Sequence, residues 1–83
     1  MMNGFKTGDI CFIKDISAKT MELYKIKSTI HDFLICPCHI PRSQSLVIAS
    51  ILSPTIAMVH YNGDTTKVSI FYLTDLEKAT IKK

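Results

Sequence analysis

Apolar residues in this chain fall into short runs separated by polar turns, not into long stretches at helical spacing. Ile10-Cys11-Phe12-Ile13 is too short and too apolar for a surface helix, and with Gly8-Asp9 before it the run predicts a first strand. Residues 15–20 supply a polar turn. Tyr24, Ile26, Ser28 and Ile30 then alternate with Leu23, Lys25, Lys27 and Thr29, and a period of two predicts a half-buried strand over 23–30. His31-Asp32 interrupts, the apolar run 33–36 follows, and Pro37 and Pro41 remove two amide donors that a ladder would need. Residues 37–45, with few apolar side chains to anchor them, predict an exposed loop. The nearly all-apolar run 46–52, ended by Ser53-Pro54, predicts a central strand covered on both faces.

Residues 55–61 and 65–72 are strand-like runs on either side of Asn62-Gly63-Asp64, the strongest local signature of a β-hairpin. Its register stays open. A two- or four-residue connection would place Ala57, Val59 and Tyr61 on the face of Val68 and Ile70, whereas a three-residue connection with a bulge would place Ile56 and Met58 there. Thr74-Asp75-Leu76-Glu77 fits a capping box and predicts one short helical turn from Thr74 onward. Together these elements predict a mainly β fold, a small antiparallel barrel or strongly bent sheet of about four to six strands with a short C-terminal helical turn, as one domain over residues 1–83. Strand centres place Ile10, Phe12, Ile26, Val47, Ile48, Ile51, Val59, Val68 and Ile70 in the core.

The opening Gly8-Asp9-Ile10-Cys11-Phe12-Ile13-Lys14-Asp15 and the closing Val59-His60-Tyr61-Asn62-Gly63-Asp64, with Val68, Leu73 and Leu76, resemble the two ends of Tudor-like small barrels. The resemblance covers about half the chain and implies a barrel scaffold; no aromatic cage for methylated residues maps onto this sequence. Gly8-Asp9-Ile10 is also similar to the start of MazF- and PemK-like ribonuclease toxins. The Arg-Pro segment that carries catalysis in that family is absent, since Arg42 follows Pro41 in the reverse order.

Length and composition narrow the function classes. Eighty-three residues leave no room for a separate catalytic domain. An apolar share of 47% with 20% charged residues argues against intrinsic disorder, and a net charge of +3 is far from a dedicated polycation. The sequence offers no membrane-spanning run and no secretory leader, and its three cysteines leave at least one unpaired, so a reducing, cytoplasmic location without membrane attachment is expected. Twelve Ile and nine Lys against a single Arg suit an AT-rich genome, and with the brevity of the chain suggest an accessory protein of a phage or mobile element.

Cys36-Pro37-Cys38-His39 contains ligand types that zinc prefers, but structural zinc sites use pairs separated by two to four residues, and no second pair exists; no metal and no cofactor are expected. Cys38 beside His39 is the single nucleophile and base candidate. Adjacent side chains on an extended segment point apart, so no catalysis is expected. Lys14, Lys25 and Lys27 around Tyr24 could track a phosphate backbone while the ring stacks on a base, with Lys25 and Lys27 on one strand face. Protein recognition asks less of the sequence: exposed edges and loops with aromatic or Arg anchors, for which Tyr24, His39 and Arg42 are the candidates. The first expectation is therefore a non-enzymatic protein-binding module that inhibits or adapts a host protein, and the alternative is a nucleic-acid-binding barrel. Self-association through the 46–52 strand or an open edge is a linked expectation, as is an oligomer that encloses a small anionic ligand.

Overall fold

The computed structural model describes residues 4–79. Five strands, β1 (Ile10–Ile13), β2 (Leu46–Ser53), β3 (Ile56–Tyr61), β4 (Asp64–Tyr72) and β5 (Leu76–Lys78), form one antiparallel sheet in the order β4-β3-β2-β1-β5. One helix, α1 (Ala18–Ser28), and two 3-10 turns, Pro37–His39 and Leu73–Asp75, complete the described chain.

The topology dictates curvature. β4 and β5 lie at opposite edges of the sheet, yet only the three residues Leu73–Asp75 join them. Crossing four inter-strand gaps of a flat sheet would need about 19 Å. A 3-10 turn of that length advances only about 6 Å. The sheet must therefore curl until its edges approach, and the register shifts in β2 between Ile48 and Ser50 and between Ile51 and Ser53 supply bends. The sheet stays open, so of the two expected forms it takes the bent one.

Pairing sorts side chains onto two faces. Cys11 opposes Leu46, Ile48 opposes Val59, Ala57 opposes Phe71 and Ile13 opposes Leu76. These residues, joined by Leu73 and by Ile40 from the loop before β2, make the buried core inside the curve, with Phe5, Ile16, Ile35 and Tyr61 packed against it. The other face carries Ile10 opposite Val47, Val47 opposite His60, His60 opposite Val68, Met58 opposite Ile70, and Phe12 opposite Glu77.

The hairpin resolves to a tight tip followed by a slip. Tyr61 pairs Asp64 across Asn62-Gly63, with Gly63 at φ +95° where a side chain would be strained. The next pair is His60 with Val68, so β4 carries extra residues just after the turn. The Asp64 carboxylate holds them by accepting from both the amide and the hydroxyl of Thr66. Beyond that bulge Ile56 and Met58 share the face of Val68 and Ile70, the face pairing expected of the bulged alternative, although the connection itself is two residues long and not three.

Several expectations are overturned. Residues 23–30 are not a strand: 23–28 belong to α1. Ser17 caps this helix, accepting from the Thr20 amide at 3.3 Å, and no Gly or Pro interrupts it. The period of two in that stretch is coincidental, because burial follows a helical spacing, with Thr20 buried and Met21, Leu23, Tyr24, Lys27 and Ser28 half-buried, a mixture of apolar and polar residues. Ile26 therefore points to solvent at 56% exposure and leaves the core list. Ile10, Phe12 and Ile51 leave it as well, lying exposed, while Val47 and Val68 are half-buried; Ile48, Val59 and Ile70 are buried as expected. β2 is the middle strand of the sheet but is not covered on both faces throughout, since Leu46 and Ile48 are buried whereas Ile51 and Leu52 are exposed. The 37–45 segment is better anchored than a free loop, through buried Pro37 and Ile40. The C-terminal helical turn occupies Leu73–Asp75 and leads straight into β5.

Candidate functional site

No side chain caps the 3-10 turn Leu73–Asp75, so the capping box expected from Thr74 and Glu77 does not form, and the side chain that makes the tertiary contacts here is that of Asp75. Its buried carboxylate accepts from the Ser17 amide at 2.9 Å, from the Ser17 hydroxyl at 2.7 Å and from the Thr20 hydroxyl. Thr20 Oγ1 in turn accepts from the Tyr72 amide at 3.2 Å. One carboxylate thus ties the start of α1 to the end of β4. Burial alone would raise its pKa, but the hydrogen bonds from Thr20 and Ser17, with Lys19 nearby, hold it below the ordinary carboxylate value. With Asp75 and Thr20 buried and their polar atoms bonded to one another and to Ser17, the cluster acts as an anchor.

That anchor decides which part of the outer sheet face is free. α1 packs on β4, and the Lys19 ammonium sits 5.1 Å from the ring centroid of Tyr72, an outer-face residue. Ile70, on the same face, is completely buried. Toward β1 the cover thins: Ile10 is 38% and Phe12 36% exposed, with half-buried Val47 beside Ile10 across the ladder.

Cations gather at the end of this bare strip. Lys14 follows β1 directly and is exposed, and the Arg42 guanidinium reaches the Lys14 carbonyl at 3.4 Å. Two of the six residues singled out from sequence, Lys14 and Arg42, are thereby brought together. The others are not. Lys25 and Lys27 stand on α1, where a separation of two residues turns side chains roughly 200° apart, so the shared strand face expected for them does not exist. Tyr24 is half-buried on the same helix, and His39 is exposed at the end of the first 3-10 turn.

The thiols divide the same way. Cys11 is fully buried and its pKa is pushed up to about 12, chiefly by burial and secondarily by Asp9. Cys36 is half-buried and Cys38 exposed, with their sulfurs 2.9 Å apart; the hydrogen bond to Cys36 is the main reason the Cys38 thiol sits above its ordinary value. Among the described residues no three His, Cys, Asp or Glu side chains converge to hold a metal ion. No helix among them is long and apolar enough to cross a membrane.

Sequence reading missed Phe12 and Ile10 as surface residues, having assigned both to the core. All four residues of β1 are apolar, so hydropathy does not separate its faces; strand geometry alone says that the two pairs point opposite ways, not which pair the core takes. Comparison with family models, with curated proteins and with solved structures finds no match.

Proposed function

We propose that this chain is a non-catalytic protein-recognition module that inhibits or adapts its partner, and that it binds through the bare part of its outer sheet face. The observation that carries this reading is the exposure of Ile10 and Phe12 side by side with Val47 on a rigid sheet, next to Lys14 and Arg42. Apolar and aromatic side chains on a preorganised strand lose little entropy on docking, and an Arg at the margin supplies directional hydrogen bonds. The chemistry that fits is a protein surface with apolar side chains bordered by carboxylates, in keeping with a net charge of +3.

Nucleic-acid binding is the weaker reading. The line of lysines that motivated it required Lys25 and Lys27 on one face of a strand, and α1 separates them.

The test is capture of partners from the source cell or its host with and without nuclease, comparing the native chain with Phe12→Asp and with the double variant Lys25→Glu, Lys27→Glu. A nuclease-resistant partner lost with Phe12→Asp and kept by the double lysine variant is the expected result. Recovery of only nuclease-sensitive material, abolished by the lysine changes and indifferent to Phe12, would replace this reading with the nucleic-acid one.

A further inference from the structure

The turn that holds Cys36 and Cys38 contacts α1 and β4, and neither cysteine is among the residues proposed to meet a partner. Their sulfurs stand 2.9 Å apart, about 0.9 Å more than a disulfide bond. The surroundings hold them there. Ile35, immediately before Cys36, is stitched to the free edge of β4: its amide donates to the Val68 carbonyl at 2.8 Å, and its carbonyl accepts from the Ser69 hydroxyl at 2.7 Å. Pro37, between the two cysteines, is fully buried and has a fixed φ, and the His39 amide closes the turn onto the Cys36 carbonyl at 2.8 Å. The pair therefore has an anchored, half-buried member and an exposed one, facing each other before any bond forms.

We infer that Cys36 and Cys38 form a reversible dithiol-disulfide couple, a redox site whose residues the proposed recognition face does not use. The oxidant is a small-molecule disulfide. The Cys38 thiolate, its proton given to solvent, attacks one sulfur of that disulfide and expels the other half as a thiolate that picks up a proton. The Cys36 thiolate then attacks Cys38 Sγ and expels the second half. Two protein thiols and one small disulfide become one protein disulfide and two small thiols, so electrons and protons balance. The ring closed through Pro37 is small, and bridges in tight rings are readily reduced, which makes the bond an exchanging one and not a structural staple. Cys11, buried in the core with its thiol pushed up to about 12, takes no part.

The purified chain should be equilibrated with mixtures of oxidised and reduced glutathione, acid-quenched, alkylated and weighed intact. The expected product is a monomer lighter by two hydrogens with no glutathione attached, mapping to the 36–38 peptide and returned to the dithiol by excess reduced glutathione. Cys36→Ser should stall with glutathione on Cys38, holding on the order of tenfold or more adduct than the native chain at the same time point, because the intramolecular second step is missing. A native chain that stays unmodified, accumulates the mixed disulfide, or forms covalent dimers would overturn the inference. The native-chain mass result decides it even if Cys36→Ser proves unstable.

Discussion

β1 faces two ways, and its two faces meet different surroundings. Cys11 and Ile13 point into the curve of the sheet and are buried, while Ile10 and Phe12, their immediate neighbours, point outward and are exposed. All four are apolar, so hydropathy does not distinguish them. The distinction comes from what covers each face: the sheet curls over the inner side, and on the outer side α1 covers β4 but not β1. Inner residues are fixed by stability. Outer ones are free to be chosen for what they touch.

The largest effect expected from this contrast is on the inner face. Phe71→Ala removes the largest fully buried side chain and should cost about 3 to 5 kcal/mol in a denaturant melt. A loss under about 1 kcal/mol would mean that Phe71 does not lie in the core. Next comes the anchor that holds α1 over β4. Asp75→Ala strands the Ser17 and Thr20 donors and should cost about 2 kcal/mol. It should also raise hydrogen exchange in α1 more than in β2 and β3, extending the bare region toward β4.

Acid should reproduce part of that change. The Asp75 carboxyl is held below its ordinary value in the folded chain, so its stabilising contribution is complete above the ordinary carboxylate pKa and is lost as pH falls through the lowered, folded value. Asp75→Asn should accordingly be less stable than the native chain at neutral pH, with the gap closing below the ordinary carboxylate range in pH-dependent melts. The smallest stability effect belongs to the outer face: Phe12→Ser should cost about 1 kcal/mol or less, a fraction of the Phe71 penalty, although both residues are phenylalanines in strands of one sheet.

Residues 46–72 were legible because local chemistry and tertiary demand agree there. Asn62-Gly63 forces a turn, the flanking runs alternate, and the antiparallel meander needs no distant information. The hairpin register was left open because the bulge is fixed by Asp64 gripping Thr66, a contact invisible to periodicity. Residues 17–28 failed for the opposite reason. The covered side of α1 mixes Met21, Leu23 and Tyr24 with Thr20, Lys27 and Ser28 while apolar Ile26 is exposed, so no clean apolar stripe marks it, and Ser17, the helix cap, is held by Asp75 from the far end of the chain. At the candidate site, Lys14 and Arg42 stand out in sequence for their charge, but in two different readings, Lys14 as a phosphate contact and Arg42 as an anchor for protein. Phe12 was missed because an all-apolar strand does not reveal which of its faces the rest of the chain will cover.

Salt dependence tests the central claim, that the bare outer face recognises protein, most directly. With the captured partner purified, the affinity of the native chain should be measured over a wide range of salt. A desolvated apolar centre around Phe12 bordered by Lys14 and Arg42 predicts a shallow log-log slope, on the order of one or two, and a large loss with Phe12→Asp at every salt concentration. A slope of several units, roughly 0.7 to 0.9 for each phosphate neutralised, with losses spread over the lysines and none at Phe12, would contradict it.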